Sequence, residues 1–450
     1  MKFLNKQFTQ ETLKLALPVM LTQVGQVSVN LFDNIIVGKL LGAKALAAVS
    51  LGNAMFFSIF IFGLGFSLAI PPLVSEAHSQ HDHNRINSIF RHGFVVNIIL
   101  AFVLMLLIFG IIPLMPYLNQ PKEILPDTIT FLSIVTLSII PFMIFQTMRE
   151  VSEGLSFTIG VTKATIFANV INVILNYVFI EHFKMGVAGS AWATFIARVA
   201  MMVFLYYVLI KEEKTRRYIK DFSLKIKDFT KEMFEKLIRL GFPTALQLFF
   251  EVTAFAGAAF ICGLISAKDI AAHQIALSMA SFTFNLCVGF SVASTVMIGR
   301  KLGEKDFVNL EKVGFNNLKI AFIFMLMCGL VFILGKDVLP TFFTKKEDIA
   351  VVELASQLMI IAALFQLSDG IQVTALGCLR GIQDVKIPSI LTFIAYWVIT
   401  IPLGYYLTVP MKMGAFGMWI ALGIGLTISA VLLVIRFRNL SEKRIKAKSN

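Results

Sequence analysis

Three acidic side chains, Asp33, Glu251 and Asp369, stand inside long apolar stretches of this 450-residue chain. Gln366 and Gln372 flank Asp369 three residues to either side, and Gln247 precedes Glu251 by one helical turn, so the amides share faces with the acids. Asp33 has candidate companions in Asn172 and Asn176, four residues apart on one helix face, and in Thr194. A carboxylate with amide and hydroxyl oxygens is a hard-oxygen set. It suits a small alkali cation or a hydrogen-bond network that takes up a proton. A charge at mid-bilayer costs at least ~2.5 kcal/mol on insertion scales, which makes an intramembrane acid a functional-site hypothesis by default. Burial disfavours the charged form, so such an acid can bind a proton or trade it for a cation. The competing reading is structural: a carboxylate neutralised by a fixed Lys or Arg, and Asn and Thr bonding helices together. The only basic residue read as deep in a helix is Arg198, so at most one acid is explained that way.

The elements that must position these residues are membrane helices. The chain is 57% hydrophobic and 15% charged, with a mean hydropathy of +0.80, far from a soluble composition. Twelve apolar runs lie at 13–37, 50–74, 93–115, 128–148, 160–180, 187–210, 237–262, 273–298, 316–335, 351–378, 387–408 and 414–436. Each is near the ~20 residues that cross the hydrocarbon layer, and none alternates with period two, so the expected fold is an all-α integral membrane protein of twelve helices. With the N-terminus inside, inner segments hold 30 of the 40 Lys and Arg and outer loops hold 9, which places both termini in the cytoplasm. The net charge of +13 is then mostly topology and attraction to anionic lipid, with the charged stretch 211–236 as its largest patch. These cations flank helices rather than form a module, so nucleic acid is not an expected partner.

The chain repeats itself. KALAAVSLGNAM at 44–55 returns as KDIAAHQIALSMA from 268, and GFSLA at 65–69 as GFSVA at 289–293, both displaced by 224 residues. Each unit holds an even number of helices, so the halves enter the membrane in the same direction as parallel repeats. The expected division is a lobe at 1–213 and a lobe at 214–450, with a charged linker at about 211–236. Pro18 and Pro243 occupy equivalent places in the first helix of each lobe, where paired interruptions point to bending.

The words VNLFDNIIVGKLLGAKALAAVSLGN, NVILNYVFI followed by GVAGSAWATFIAR, LGFPTALQLFFEVTAF and FQLSDGIQVTALGCLRGIQD occur in this order along nearly the whole chain. With the repeat, they resemble the multidrug and toxic compound extrusion (MATE) family, NorM-like bacterial branch, within the multidrug/oligosaccharidyl-lipid/polysaccharide exporter superfamily. The resemblance implies a secondary antiporter of a bacterial inner membrane. It would expel cationic drugs or metabolites in exchange for sodium ions or protons, act as a monomer and need no cofactor. It further implies that Asp33, Asn172, Asn176 and Thr194 form the cation-sensing network of the first lobe. Glu251 and Asp369, with Gln247, Gln366 and Gln372 beside them, would serve cation coupling and substrate attraction in the second. Na+ is a possible occupant at Asp33 or at Glu251/Asp369. Gln274, next to His273 at the start of the eighth helix, is read as a polar residue near a helix end.

Other features read as bland. His78, His81, His83 and His92 lie around a cytoplasmic loop without a zinc-ligand pattern. Cys262, Cys287, Cys328 and Cys378 are scattered singly in apolar runs as small hydrophobes. Arg380 and Asp384 read as a brace at the inner end of the tenth helix. The N-terminus reads as a retained first helix, not a signal peptide. No GxxxxGK[ST], HExxH or GxSxG word is present, so neither a nucleotide-driven pump nor an enzyme is expected. The alternative function is a lipid-linked oligosaccharide flippase of the same superfamily, whose anionic cargo would favour cations where this chain offers acids.

Overall fold

The computed structural model describes residues 4–117, 121–343 and 349–449, and among them there are helices and no strands. The spanning helices are α1 (Lys6–Leu41), α2 (Ala43–Ser79), α3 (His83–Tyr117), α4 (Leu125–Leu137 and Ile139–Gly154), α5 (Ile159–His182), α6 (Gly186–Lys211), α7 (Lys231–Gly263), α8 (Ala267–Gly303), α9 (Phe307–Gly335), α10 (Ile349–Gly381), α11 (Lys386–Thr408) and α12 (Gly414–Lys448). Eleven are single spans by length and composition, and α4 is a pair bent by 42°. This is a multi-pass, all-helical membrane protein. A short helix, Glu213–Lys220, begins the linker between α6 and α7.

The breaks within helices have local causes. Pro141 has no N–H to give the carbonyl of Leu137, which bends α4 there. Pro71 and Pro72 restart α2 after a turn at Leu68–Ala69. Helices α5 and α11 each carry a π-type turn, at Val178–His182 and Ile394–Thr400, of the kind often found at functional sites.

The duplication is written in the backbone as well as in the side chains. Left-handed φ angles, uncommon outside glycine, occur at His81 and Lys305 (55° and 56°), at Ser156 and Gln383 (66° and 67°), and at Lys184 and Lys412 (53° and 55°). The Asp82 carboxylate caps α3 by accepting from Arg85 N at 2.9 Å, and Asp306 caps α9 by accepting from Asn309 N at 3.3 Å.

Two compact units result, and their boundaries do not fall at the linker. One is Met1–Met20 with Leu246–Asn450; the other is Leu21–Ala245. In the first, the start of α1 docks on α8 and α9: Asn5 N donates to Asn316 Oδ1 at 2.9 Å, Thr12 Oγ1 to Asn317 Oδ1 at 2.6 Å, and Arg300 pairs with Glu11 at 2.7 Å. In the second, the start of α7 docks on α2 and α3 in the same way. Thr230 N donates to His92 Nε2 at 2.9 Å, and Gly241 and Ala245 pack on Phe66 and Gly65.

The core of Met1–Met20 with Leu246–Asn450 is built around α10, which carries Asp369. Ser291 Oγ and Thr295 Oγ1 of α8 donate to the carbonyls of Val373 and Gly377 at 2.7 and 3.0 Å. A Cβ on Gly377 would collide with the Ser291 carbonyl, so the two helix backbones approach as closely as small residues allow. Gly377→Val is therefore expected to lower the midpoint of thermal unfolding of the purified protein by roughly 5 °C through overpacking. An unchanged midpoint in fluorescence-detected unfolding would refute that close approach.

Candidate functional site

In unit Leu21–Ala245, α1 and α5 meet at three successive points. Thr22 Oγ1 donates to Thr162 Oγ1 at 3.0 Å. Gly25 leaves room for Asn169, whose Nδ2 would sit 2.9 Å from an added Cβ. Two turns on, Asn176 Nδ2 donates to Asp33 Oδ1 at 2.6 Å. Asn172 and Asn176 are buried, and the Oδ1 of each has no hydrogen-bond partner among the described residues. Asn176 thus sets one amide on the Asp33 carboxylate, with Asn172 one turn away on the same helix face, oxygens of the kind that suit a hard cation or a proton relay. Asn169 belongs to the same face as Asn172 and Asn176, and the i, i+3, i+7 spacing of the three is the sequence signal that marks it. Thr194 is not joined to Asp33 by a hydrogen bond: its hydroxyl donates to the Ser190 carbonyl of its own helix at 3.1 Å.

Arg198 of α6 lies within electrostatic range of Asp33. It is fixed there by three groups: Nη1 donates to Ser138 Oγ at 2.7 Å, and the guanidinium stacks 4.8 and 5.2 Å from the ring centroids of Phe56 and Phe142. The Ser138 that receives it is the residue at the α4 bend.

In the other unit, α7 brings Gln247 and Glu251, and α10 brings Gln366, Asp369 and Gln372, all of them buried. Glu251 and Asp369 lie within electrostatic range of each other. Two carboxylates held close in a low-dielectric interior repel strongly when both are charged, and a proton or an alkali ion relieves that repulsion. Tyr396, on the π-type turn of α11, joins this site without any signal in the sequence. Its hydroxyl donates to Gln372 Oε1 at 3.0 Å and faces Glu251. Trp397 Nε1 donates to the Phe250 carbonyl at 3.1 Å and ties that turn to α7. Both polar atoms of Gln366 and Gln372 Nε2 have no hydrogen-bond partner among the described residues, and Gln247 faces Glu251. None of Asp33, Glu251 and Asp369 forms an ion pair among the described residues. Gln274 is exposed, whereas His273 is buried 5.9 Å from the Trp419 ring.

The structure corrects the count of buried charges. The apolar run that ends at residue 148 continues as helix to Gly154, and it buries Gln146, Arg149, Glu150 and Glu153. Arg149 Nε pairs with Glu153 Oε1 at 2.7 Å and Gln146 Nε2 donates to Glu150 Oε1 at 3.0 Å. Arg198 is therefore not the only cation deep in a helix, nor are Asp33, Glu251 and Asp369 the only acids. At the predicted brace, Asp384 pairs with Arg436 at 2.9 Å, while Arg380 is buried and its Nη2 donates to Ser291 Oγ at 3.3 Å. Of the histidines, His83 meets the Tyr218 hydroxyl at 2.8 Å and His92 holds Thr230 N, so each ties the linker to α3.

The MatE family model matches twice, at residues 18–178 and again at 243–406, once in each repeat. The probable multidrug resistance protein NorM of Agrobacterium fabrum is 33% identical over 442 residues, 97% of this chain and 94% of that relative. The multidrug resistance protein NorM of Photobacterium profundum is 31% identical, over 96% of this chain and 95% of its own length. A crystal structure of a MATE protein in a bent conformation superposes with a TM-score of 0.89, covering 98% of this chain and 97% of that one, at 19% identity, which shows the fold alone. A duplicated chain of helical membrane spans that matches the family in both halves, and its relatives over nearly the full length, is a member of the MatE family.

Proposed function

We propose that this protein is a secondary active multidrug exporter that expels cationic small molecules in exchange for sodium ions or protons. The observation that carries this reading is the placement of Asp33, Glu251 and Asp369 in helices beside side-chain amides, with no direct ion pair made among the described residues although Arg198 and Arg380 lie within electrostatic range of Asp33 and Glu251. Ionisable residues within membrane spans are costly and mark ion or substrate pathways. The names of the relatives, multidrug resistance proteins, support the substrate class.

In this mechanism, cargo loads from the cytoplasm through attraction to the Glu251 and Asp369 carboxylates, and an outside cation or proton neutralises them and releases it. The Asp33 network with Asn172 and Asn176 senses the same ion in the first lobe, with Thr194 contributing only through the acceptor side of a hydroxyl that donates within its own helix. The lobes at 1–213 and 214–450 rock against each other, bending at Pro18 and Pro243, which lie within three residues of the points where α1 and α7 pass from one compact unit to the other. The protein sits as a monomer in a bacterial inner membrane with both termini in the cytoplasm.

Proteoliposomes separate the possible driving ions. Efflux of a monocationic dye is expected to accelerate under an inward sodium gradient at constant pH, or under an inward proton gradient without sodium. Efflux indifferent to both gradients would overturn the reading.

A further inference from the structure

The linker between α6 and α7 is folded against α3. Beyond the His83 and His92 contacts, the Phe222 ring packs on Phe90 and Phe94 with centroids 4.8 and 5.2 Å apart, and Asp228 pairs with Arg91 at 2.7 Å. Between this folded linker and helices α3, α4 and α6 lies a cavity of ≈ 570 Å³ whose wall includes Phe94, Met148, Met202, Tyr206, Phe222 and Lys220. Val203 and Tyr206, also in the wall, are 53% and 50% exposed, so the cavity opens at the surface of the unit.

The residues of the wall are aromatic or aliphatic apart from Lys220, and Tyr206 is the one among them that also carries a hydroxyl. Lys220 is the one charged residue in it, is exposed, and takes part in no ion pair among the described residues. On the same short helix Lys214, Arg216 and Arg217 are exposed as well. Arg216 is occupied by the Ile210 and Lys211 carbonyls, Arg217 by Asp221 at 3.8 Å, and Lys214 does not line the cavity, which leaves Lys220 as the cation that lines it.

We propose that this cavity binds an anionic phospholipid, with one acyl chain along Phe94, Met148 and Met202 and the phosphate on Lys220. An apolar slot at the linker end of membrane helices with a cation at its mouth matches an amphiphile with a negative head. Methionine and phenylalanine adapt to a flexible chain, and tyrosine favours the level where hydrocarbon meets headgroup. Cationic cargo is repelled by Lys220, which separates this cavity from the acidic sites. The bound lipid staples the linker to α3, α4 and α6. That this end of the helices faces the cytoplasm rests on the proposed orientation; the lipid binding does not.

The test uses the full-length protein in symmetric phosphatidylcholine vesicles, so that neither orientation nor transport enters. Tyr206→Trp places a fluorophore in the wall, and quenching beyond that of the parent protein is compared for brominated phosphatidylglycerol and brominated phosphatidylcholine. Val203→Trp is the second reporter should the first fail to fold. The anionic lipid is expected to associate about fivefold more strongly, as one cation near an anionic surface provides. Lys220→Gln should remove that preference, and Lys227→Gln, an exposed linker cation outside the cavity, should keep it. Equal quenching by both lipids, or equal loss in the two variants, would overturn the proposal. So would recovery of fluorescence on adding inorganic phosphate, which would point to a free-anion site instead.

Discussion

Asp369→Asn is expected to weaken binding of a monocationic dye by about tenfold or more while leaving a neutral analogue of the same shape within about twofold. The substitution keeps the size of a buried side chain and removes only its charge. A unit charge at 4 Å contributes about 4 kcal/mol at an effective dielectric of 20, so tenfold, or about 1.4 kcal/mol, is a modest share. Glu251→Gln should show the same bias, because Glu251 and Asp369 lie in each other's field. For the same reason the double variant should lose less than the sum of the two, as residues in one network do. Equilibrium binding by fluorescence polarisation with the two ligands measures both effects. Equal loss for the charged and the neutral ligand would make Asp369 a structural brace of α10 rather than a cargo site.

The second large effect is expected at Asp33. Asp33→Asn should abolish the response of export to an imposed ion gradient, cutting gradient-driven flux by about tenfold or more, since it removes the ionisable group from the hydrogen bond with Asn176. An Asn there can still accept from Asn176 Nδ2, so the thermal midpoint should stay within about 2 °C of the parent, the shift of a surface-sized perturbation. Arg198 would then be left without its nearby carboxylate, yet Ser138, Phe56 and Phe142 still hold it. Wild-type export rates in the Asn variant under both a sodium and a proton gradient would exclude Asp33 from coupling.

Several parts of this protein are legible in the amino-acid order because their signals are local. An apolar run of about twenty residues is a helix wherever it sits in a bilayer, since its backbone must satisfy itself. Asp33, Glu251 and Asp369 stand out because a charge in such a run is anomalous residue by residue. The cluster Arg149, Glu150 and Glu153 is hidden for the converse reason. Three charges in five residues lower the local hydropathy enough to look like the end of a span, and only their burial in α4 shows that the helix continues. Tyr396 is hidden because a lone tyrosine in an apolar run is ambiguous; a π-type turn in α11 and the Gln372 amide turn it toward Glu251. Thr194 shows the limit in the other direction, since a hydroxyl suited to a cation site is equally suited to its own helix, and here it takes the Ser190 carbonyl.

The amino-acid order by itself determined the helices, their duplication at a displacement of 224 residues and the identity of the three acids, because hydropathy, repeated words and misplaced charge are properties of short segments. Tertiary structure decided which amide meets which carboxylate, that the linker is packed on α3, and that each compact unit is completed by the first turns of a helix from the other half of the chain. Those pairings join residues more than a hundred positions apart, such as Asp33 with Asn176 and Asn5 with Asn316. They follow from where small residues such as Gly25 and Gly377 let helices approach, and hydropathy averaged along the chain carries no information about that distance.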